Sequence, residues 1–226
     1  MRNGVSSQRY RPRLVAGCRK LGFGLAHALY DVQTLHGDRM PAKGPVIVVS
    51  NHVGFLDGPM VFIFAPRPLR FLVKRSYFSS SWGVFLRATG QIPIDQNSAD
   101  RDALAAAREV LVDGGALGIF PEGTRGSGAV RTAQQGAAFL AQATGARIVP
   151  VAVLGTKGTG GRDSWPKLRG SVRLVVGEPF VLTKRVGVPG RERLRIATEE
   201  LRTKLAAHVL EATRETALAL PEGAPE

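Results

Sequence analysis

Between residues 46 and 176 the chain repeats one pattern. A short, unbroken apolar run gives way to a polar turn, and the turn to a stretch whose apolar residues recur at helical spacing. Residues 46–49 are all valine or isoleucine, the mark of a strand buried on both faces. Residues 116–120 and 148–154 read the same way. Residues 70–73, 92–94 and 171–176 predict further strands. Helices are predicted over 57–64, where Asp57 can cap the first turn and Pro59 fits inside it. They are also predicted over 80–89, closed by Gly90, over 100–112, ended by Gly114 and Gly115, and over 134–144, stopped by Gly145. A long helix of mixed charge is expected from 191 to about 218. Strands alternating with helices predict an α/β domain, a layered mixed sheet flanked by helices.

The two ends differ from this middle. Residues 1–12 read as a basic arm. Residues 13–32 predict a helix with Leu14, Cys18, Leu21, Leu25 and Leu29 near one face and Arg13, Arg19 and Lys20 elsewhere. Gly17, Gly22 and Gly24 weaken it. Two readings fit: a helix packed on the domain, or a basic amphipathic helix facing an anionic membrane. The division expected is arm and N-terminal helix at 1–40, core at 41–188, a C-terminal helix of the same domain at 189–220, and a disordered tail at 221–226. The stretch 155–170 is Gly-rich and basic, a loop.

Composition narrows the class. At 226 residues and 44% apolar content the chain can bury one sizeable core. A single cysteine, Cys18, rules out a disulfide framework and fits a reducing compartment. The histidines (27, 36, 52 and 208) do not cluster at metal-ligand spacing, so no metal site is expected. The net charge of +13 attracts polyanions: nucleic acid, anionic lipid or phosphorylated substrates. Few aromatics, not interleaved with the basic residues, and no nucleic-acid motif argue against nucleic acid as partner. No apolar run reaches the roughly 18 residues of a membrane span. No clean signal-peptide core follows the N-terminal arginines, so a cytoplasmic, soluble or peripheral protein is expected.

Three apolar runs end in polar, glycine-containing turns: Asn51-His52, the stretch GQIPIDQ at 90–96, and FPEGTR at 120–125. In open α/β sheets ligands gather at the carboxyl ends of strands. His52 is the candidate general base, and Asp57 can hold its other ring nitrogen and fix the tautomer. From spacing alone a turn histidine beside a capping aspartate fits as well. Arg125, beside Gly123 and Thr124, suits a phosphate: a bidentate donor, a close backbone approach and a hydroxyl. Glu122 is an odd neighbour for phosphate unless it binds hydroxyls or orients Arg125. A Pro-Glu-Gly turn with a surface ion pair is the plainer alternative. No G-x-S-x-G elbow supplies a serine nucleophile, so the substrate must bring the attacking group.

Taken together, these segments resemble the 1-acylglycerol-3-phosphate acyltransferases, the lysophospholipid acyltransferase family. The motif N-H-x4-D reads NHVGFLD here, FPEGTR is intact about 65 residues downstream, and a proline within an apolar strand is found in IVPVAV at Pro150. The resemblance spans roughly 44–182. It implies transfer of a fatty acyl group from an acyl-CoA or acyl carrier protein thioester to the free hydroxyl of a lysophospholipid, typically yielding phosphatidic acid. His52 would take the hydroxyl proton and Asp57 would orient it. Glu122, Gly123, Thr124 and Arg125 would hold the acceptor's glycerol phosphate. It implies no cofactor and no metal beyond the thioester co-substrate. It places the enzyme peripherally on the cytoplasmic face of the cell membrane, with acyl carrier protein a possible partner. The chain departs from the family at Gln96, where an arginine usually stands, and at 133–136, which read AQQG rather than Phe-Lys-x-Gly. Arg75 and Arg101 are the candidate replacement cations. The remaining alternatives are another lysolipid or lipid-linked alcohol as acceptor, and a catalytically silent lipid-binding homologue.

Overall fold

In the computed structural model, which describes residues 10–95, 100–161 and 164–221, seven strands form one sheet in the order β1-β7-β6-β2-β5-β3-β4. The strands are β1 (Asp31–Leu35), β2 (Val46–Ser50), β3 (Arg70–Lys74), β4 (Ile92–Ile94), β5 (Ala116–Ile119), β6 (Arg147–Leu154) and β7 (Ser171–Val176). The five from β6 to β4 run parallel, while β7 pairs antiparallel to β6 and carries β1 beside it in parallel. The helices are α1 (Pro12–Leu29), α2 (Asp57–Phe64), α3 (Gly83–Ala88), α4 (Arg101–Val112), α5 (Gly136–Thr144) and α6 (Gly190–Thr216).

Alternation along the buried strands divides the core in two. Val46 and Val48 face α1 and α2, together with Val149, Val151 and Val153 of β6. Ile47 and Val49 face the other layer, with Ile148 and Leu154, against α4, α5 and α6. Both faces of β2 are therefore dry, which is why its run is unbroken rather than alternating. Pro150 stands in a central strand, where a missing N–H should break a ladder. Here it lies just outside the β6–β7 register, which starts at Val151, so no β7 partner is deprived.

The N-terminal segment departs from expectation in two ways. Residues 31–35, assigned to the arm and helix by the sequence reading, form β1 and belong to the sheet. The face of α1 is also rotated. Val15 and Ala26 are buried, while Leu14, Leu21 and Leu25 lie outward at 39%, 76% and 59% exposure. The cause is close approach to α2: a Cβ on Gly22 would stand 2.7 Å from the Ile63 side chain. Arg19 reaches across to the Ile63 carbonyl at 3.0 Å and to that of Ala65, satisfying the end of α2. The glycine that weakens the helix in isolation is its contact point.

The predicted helix over 80–89 is shorter than expected: a 3-10 turn over Arg75–Ser79, then α3. Residues 1–9 of the basic arm, Gln96 and residues 222–226 of the tail lie outside the described residues.

Candidate active site

β2 and β5 are hydrogen-bonded neighbours, parallel, with Val49 opposite Ile119. Their carboxyl ends therefore deliver His52 and the 120–125 turn to the same edge of the sheet. β3, on the far side of β5, brings Lys74 and Arg75 to that edge. Arg75 pairs with Asp100 at 2.8 Å, and Arg101 is exposed at the start of α4.

Asn51 fixes where β2 ends. Its buried amide donates to the Val153 carbonyl at 3.0 Å and accepts the Val153 N–H at 2.8 Å. The side chain thus imitates the ladder two residues beyond the last backbone pair, Ser50 with Val151. The chain then turns sharply. Nδ1 of His52 lies 2.8 Å from Oδ2 of Asp57. An ionised carboxylate only accepts, so Nδ1 carries the proton of this bond and Nε2 is left with its lone pair.

Asp57 is the first residue of α2 but does not cap it, contrary to the sequence reading; no side chain caps this helix. Its carboxylate turns back into the loop instead. Oδ2 accepts from Val53 N at 2.6 Å and Gly54 N at 2.8 Å as well as from His52, and Oδ1 accepts the Thr156 hydroxyl. Asp57 and Thr156 are both buried. Four donors thus compensate a carboxylate withdrawn from water.

The 120–125 turn grips His52 from the other side. The Phe120 ring stacks on the imidazole, centroids 4.3 Å apart, and on Phe71 at 5.8 Å. Glu122 Oε1 accepts the His52 N–H at 3.2 Å, and Gly126 N donates to the His52 carbonyl at 2.9 Å. Gly123 sits at φ 73°, a conformation that glycine adopts without strain. Burial pushes the Glu122 carboxyl up to about 7; nearby Asp57 adds to this and the His52 N–H opposes it. Thr124 is exposed and Arg125 half-buried in the same turn.

The structure therefore brings together every candidate site residue: His52, Asp57, Glu122, Gly123, Thr124 and Arg125. Sequence reasoning missed Thr156, which lies 99 positions from Asp57. Its one local signal was its place just past the carboxyl end of a buried strand. Phe120 and Asn51 were quoted within motifs without a role. Among the described residues no group of three or more His, Cys, Asp or Glu side chains could hold a metal ion.

A partly exposed histidine held by a buried aspartate at the carboxyl edge of a largely parallel sheet, with Arg125 in the turn beside it, fits an enzyme that transfers a group to a nucleophile brought by the substrate. The Acyltransferase family profile matches residues 32–154, more than half of the chain, and the chain belongs to that family. It is 28% identical over 189 residues to the 1-acyl-sn-glycerol-3-phosphate acyltransferase of Bacillus subtilis (strain 168), covering 80% of this chain and 92% of that protein. It is 32% identical over 149 residues to the enzyme of the same name from Borreliella burgdorferi, covering 63% of this chain and 58% of that one. The fold matches the crystal structure of the 1-acyl-sn-glycerophosphate (LPA) acyltransferase PlsC from Thermotoga maritima. That match has a TM-score of 0.65 and 24% identity, and covers 90% of this chain and 85% of the other.

Proposed function

We propose that this enzyme transfers a fatty acyl group from a thioester to the free hydroxyl of 1-acylglycerol-3-phosphate, giving phosphatidic acid. The observation that carries the reading is the 2.8 Å bond from His52 Nδ1 to a fully buried Asp57, which leaves the Nε2 lone pair to take the acceptor's proton. The acceptor oxygen attacks the thioester carbonyl as its proton passes to Nε2. The tetrahedral intermediate collapses, the C–S bond breaks, and the thiolate takes the proton back from His52. One ester and one free thiol result, with His52 restored and no acyl-enzyme formed. Holding both substrates against this edge supplies much of the rate.

Arg125 in the turn after β5 and Lys74 at the carboxyl end of β3 support an acceptor with a phosphate, while Arg75 beside Lys74 is held by Asp100. Glu122, with its carboxyl near 7, is partly protonated at neutral pH. In that form it donates to a glycerol or phosphate oxygen, which removes the like-charge difficulty of a glutamate beside a phosphate. The donor is acyl-CoA or an acylated carrier protein. The names of the relatives support the acceptor, and the exposed Leu14, Leu21 and Leu25 of basic α1 support peripheral attachment to an anionic membrane. Among the described residues no helix is long and apolar enough to cross a membrane.

The test measures thiol release from one acyl-CoA against a panel of lysolipid acceptors, for the unaltered chain and for His52→Ala. Turnover with 1-acylglycerol-3-phosphate that is lost in a folded His52→Ala supports the reading. Near-normal turnover in that variant rejects His52 as the base, and preference for an acceptor without phosphate rejects the assigned substrate.

A further inference from the structure

Three aromatic rings from three separate segments meet beside the His–Asp pair. Phe55 lies in the turn between His52 and Asp57, Trp82 precedes α3, and Trp165 lies in the 155–170 loop. The centroids of both indoles stand 6.2 Å from that of Phe55. Phe85 extends the group edge-on to Trp82 at 6.2 Å and to Phe62 of α2 at 6.1 Å. This cluster is not closed over. Trp82 is 51% exposed, Trp165 61% and Val84 72%. Large aromatic side chains left this open mark an interaction surface rather than core.

The charge of the segments that carry these rings identifies the partner. Lys74, Arg75 and Arg87 lie between the end of β3 and the end of α3, residues 71–94 hold no acid, and Lys157, Lys167 and Arg169 lie in the loop that holds Trp165. Indole rings favour the boundary between headgroups and acyl chains, and cations beside them favour anionic headgroups. We propose that Trp82 and Trp165, gathered on Phe55, together with the exposed Val84 of α3, dock this edge of the enzyme into an anionic lipid bilayer, as a contact separate from α1. The proposal rests on the reading that the acceptor is a lipid. It gives that acceptor a route past Phe55 to His52 without leaving the bilayer for water.

Trp82 and Trp165 are the only two tryptophans in the chain, so the intrinsic emission of the unaltered protein reads this patch alone. The probes are phosphatidylglycerol vesicles, phosphatidylcholine vesicles, and phosphatidylglycerol vesicles with brominated acyl chains. Docking predicts a blue shift with phosphatidylglycerol, weaker with phosphatidylcholine, and quenching by the brominated chains that survives in both Trp82→Phe and Trp165→Phe. Val84→Asp should weaken vesicle partition by about tenfold or more, since it replaces buried apolar surface with a charge repelled by the lipid. The same variant should turn over a short-chain, monomeric acceptor at the unaltered rate. Two results overturn the proposal. One is binding to vesicles without quenching, which leaves α1 as the contact. The other is a concentration-dependent blue shift without lipid, which assigns the patch to a second copy of the chain. Docking is read without chemistry, so a failure of turnover on the soluble acceptor counts against the acyltransferase reading and leaves the docking result intact.

Discussion

Thr156→Val tests whether the end of β6 is part of the catalytic device. Valine keeps the shape of threonine and removes its hydroxyl. In the native protein that hydroxyl donates to Oδ1 of Asp57, while Oδ2 accepts from His52, Val53 and Gly54. Asp57 is wholly buried, so solvent is poorly placed to replace the lost donor. A hydrogen bond to a charged group is worth about 1.5–3 kcal/mol. If that loss falls on the alignment of Asp57 with Nδ1 of His52, kcat drops by about tenfold to a hundredfold. Thr156 is buried and reaches the site through Asp57, so KM for the acceptor should stay within about twofold. Thr156→Ser retains the donor and should restore most of kcat. The assay is thiol release at saturating acceptor, with thermal denaturation of each variant alongside. An unchanged kcat with a lowered Tm would show that Thr156 serves the fold alone, and a serine variant as impaired as valine would refute the hydroxyl's role.

Asn51→Ala removes both bonds to Val153 from a buried site and should lower stability by about 2–3 kcal/mol, read as a shift of the urea midpoint at constant m. The Glu122 carboxyl is raised to about 7, so the native state keeps its proton after the unfolded chain has lost it near 4.5. Its contribution is therefore full below about 4.5 and is lost as pH rises through about 7, and Glu122→Gln should flatten that fall in a stability-versus-pH series. Gly118→Val should reduce both stability and turnover. A Cβ there would stand 2.3 Å from the Phe71 ring, which stacks on Phe120 and so on His52. Its cost is read by thermal denaturation, and normal kcat in a folded variant would show that the stack does not position the histidine.

Much of the fold was legible because strand and helix signals here are local. The valine and isoleucine run at 46–49, the alanine-rich helix begun by Asp100, and the glycine stops at 90 and 145 need no knowledge of neighbours. Asp100, just before the first turn, caps its helix by accepting Ala103 N at 3.0 Å. Asp57 has the same local signature and behaves differently. The donors that claim its carboxylate, His52, Val53, Gly54 and Thr156, outcompete a helix terminus. β1 was missed because its five residues, DVQTL, alternate weakly and lie at a sheet edge, where one neighbour and one buried side suffice.

The sequence by itself determined the alternation of strands and helices, the residue types at the site, and, through three motifs in order and a partial one in GQIPIDQ, the family. Those are properties of side-chain chemistry and spacing along the chain. Only the tertiary structure decided which face of α1 is covered, because that depends on Gly22 meeting Ile63. It alone brought Thr156 to Asp57 and turned Glu122 back onto His52. Both contacts follow from strand order: β5 and β6 flank β2, and spacing along the chain does not fix which strands lie side by side.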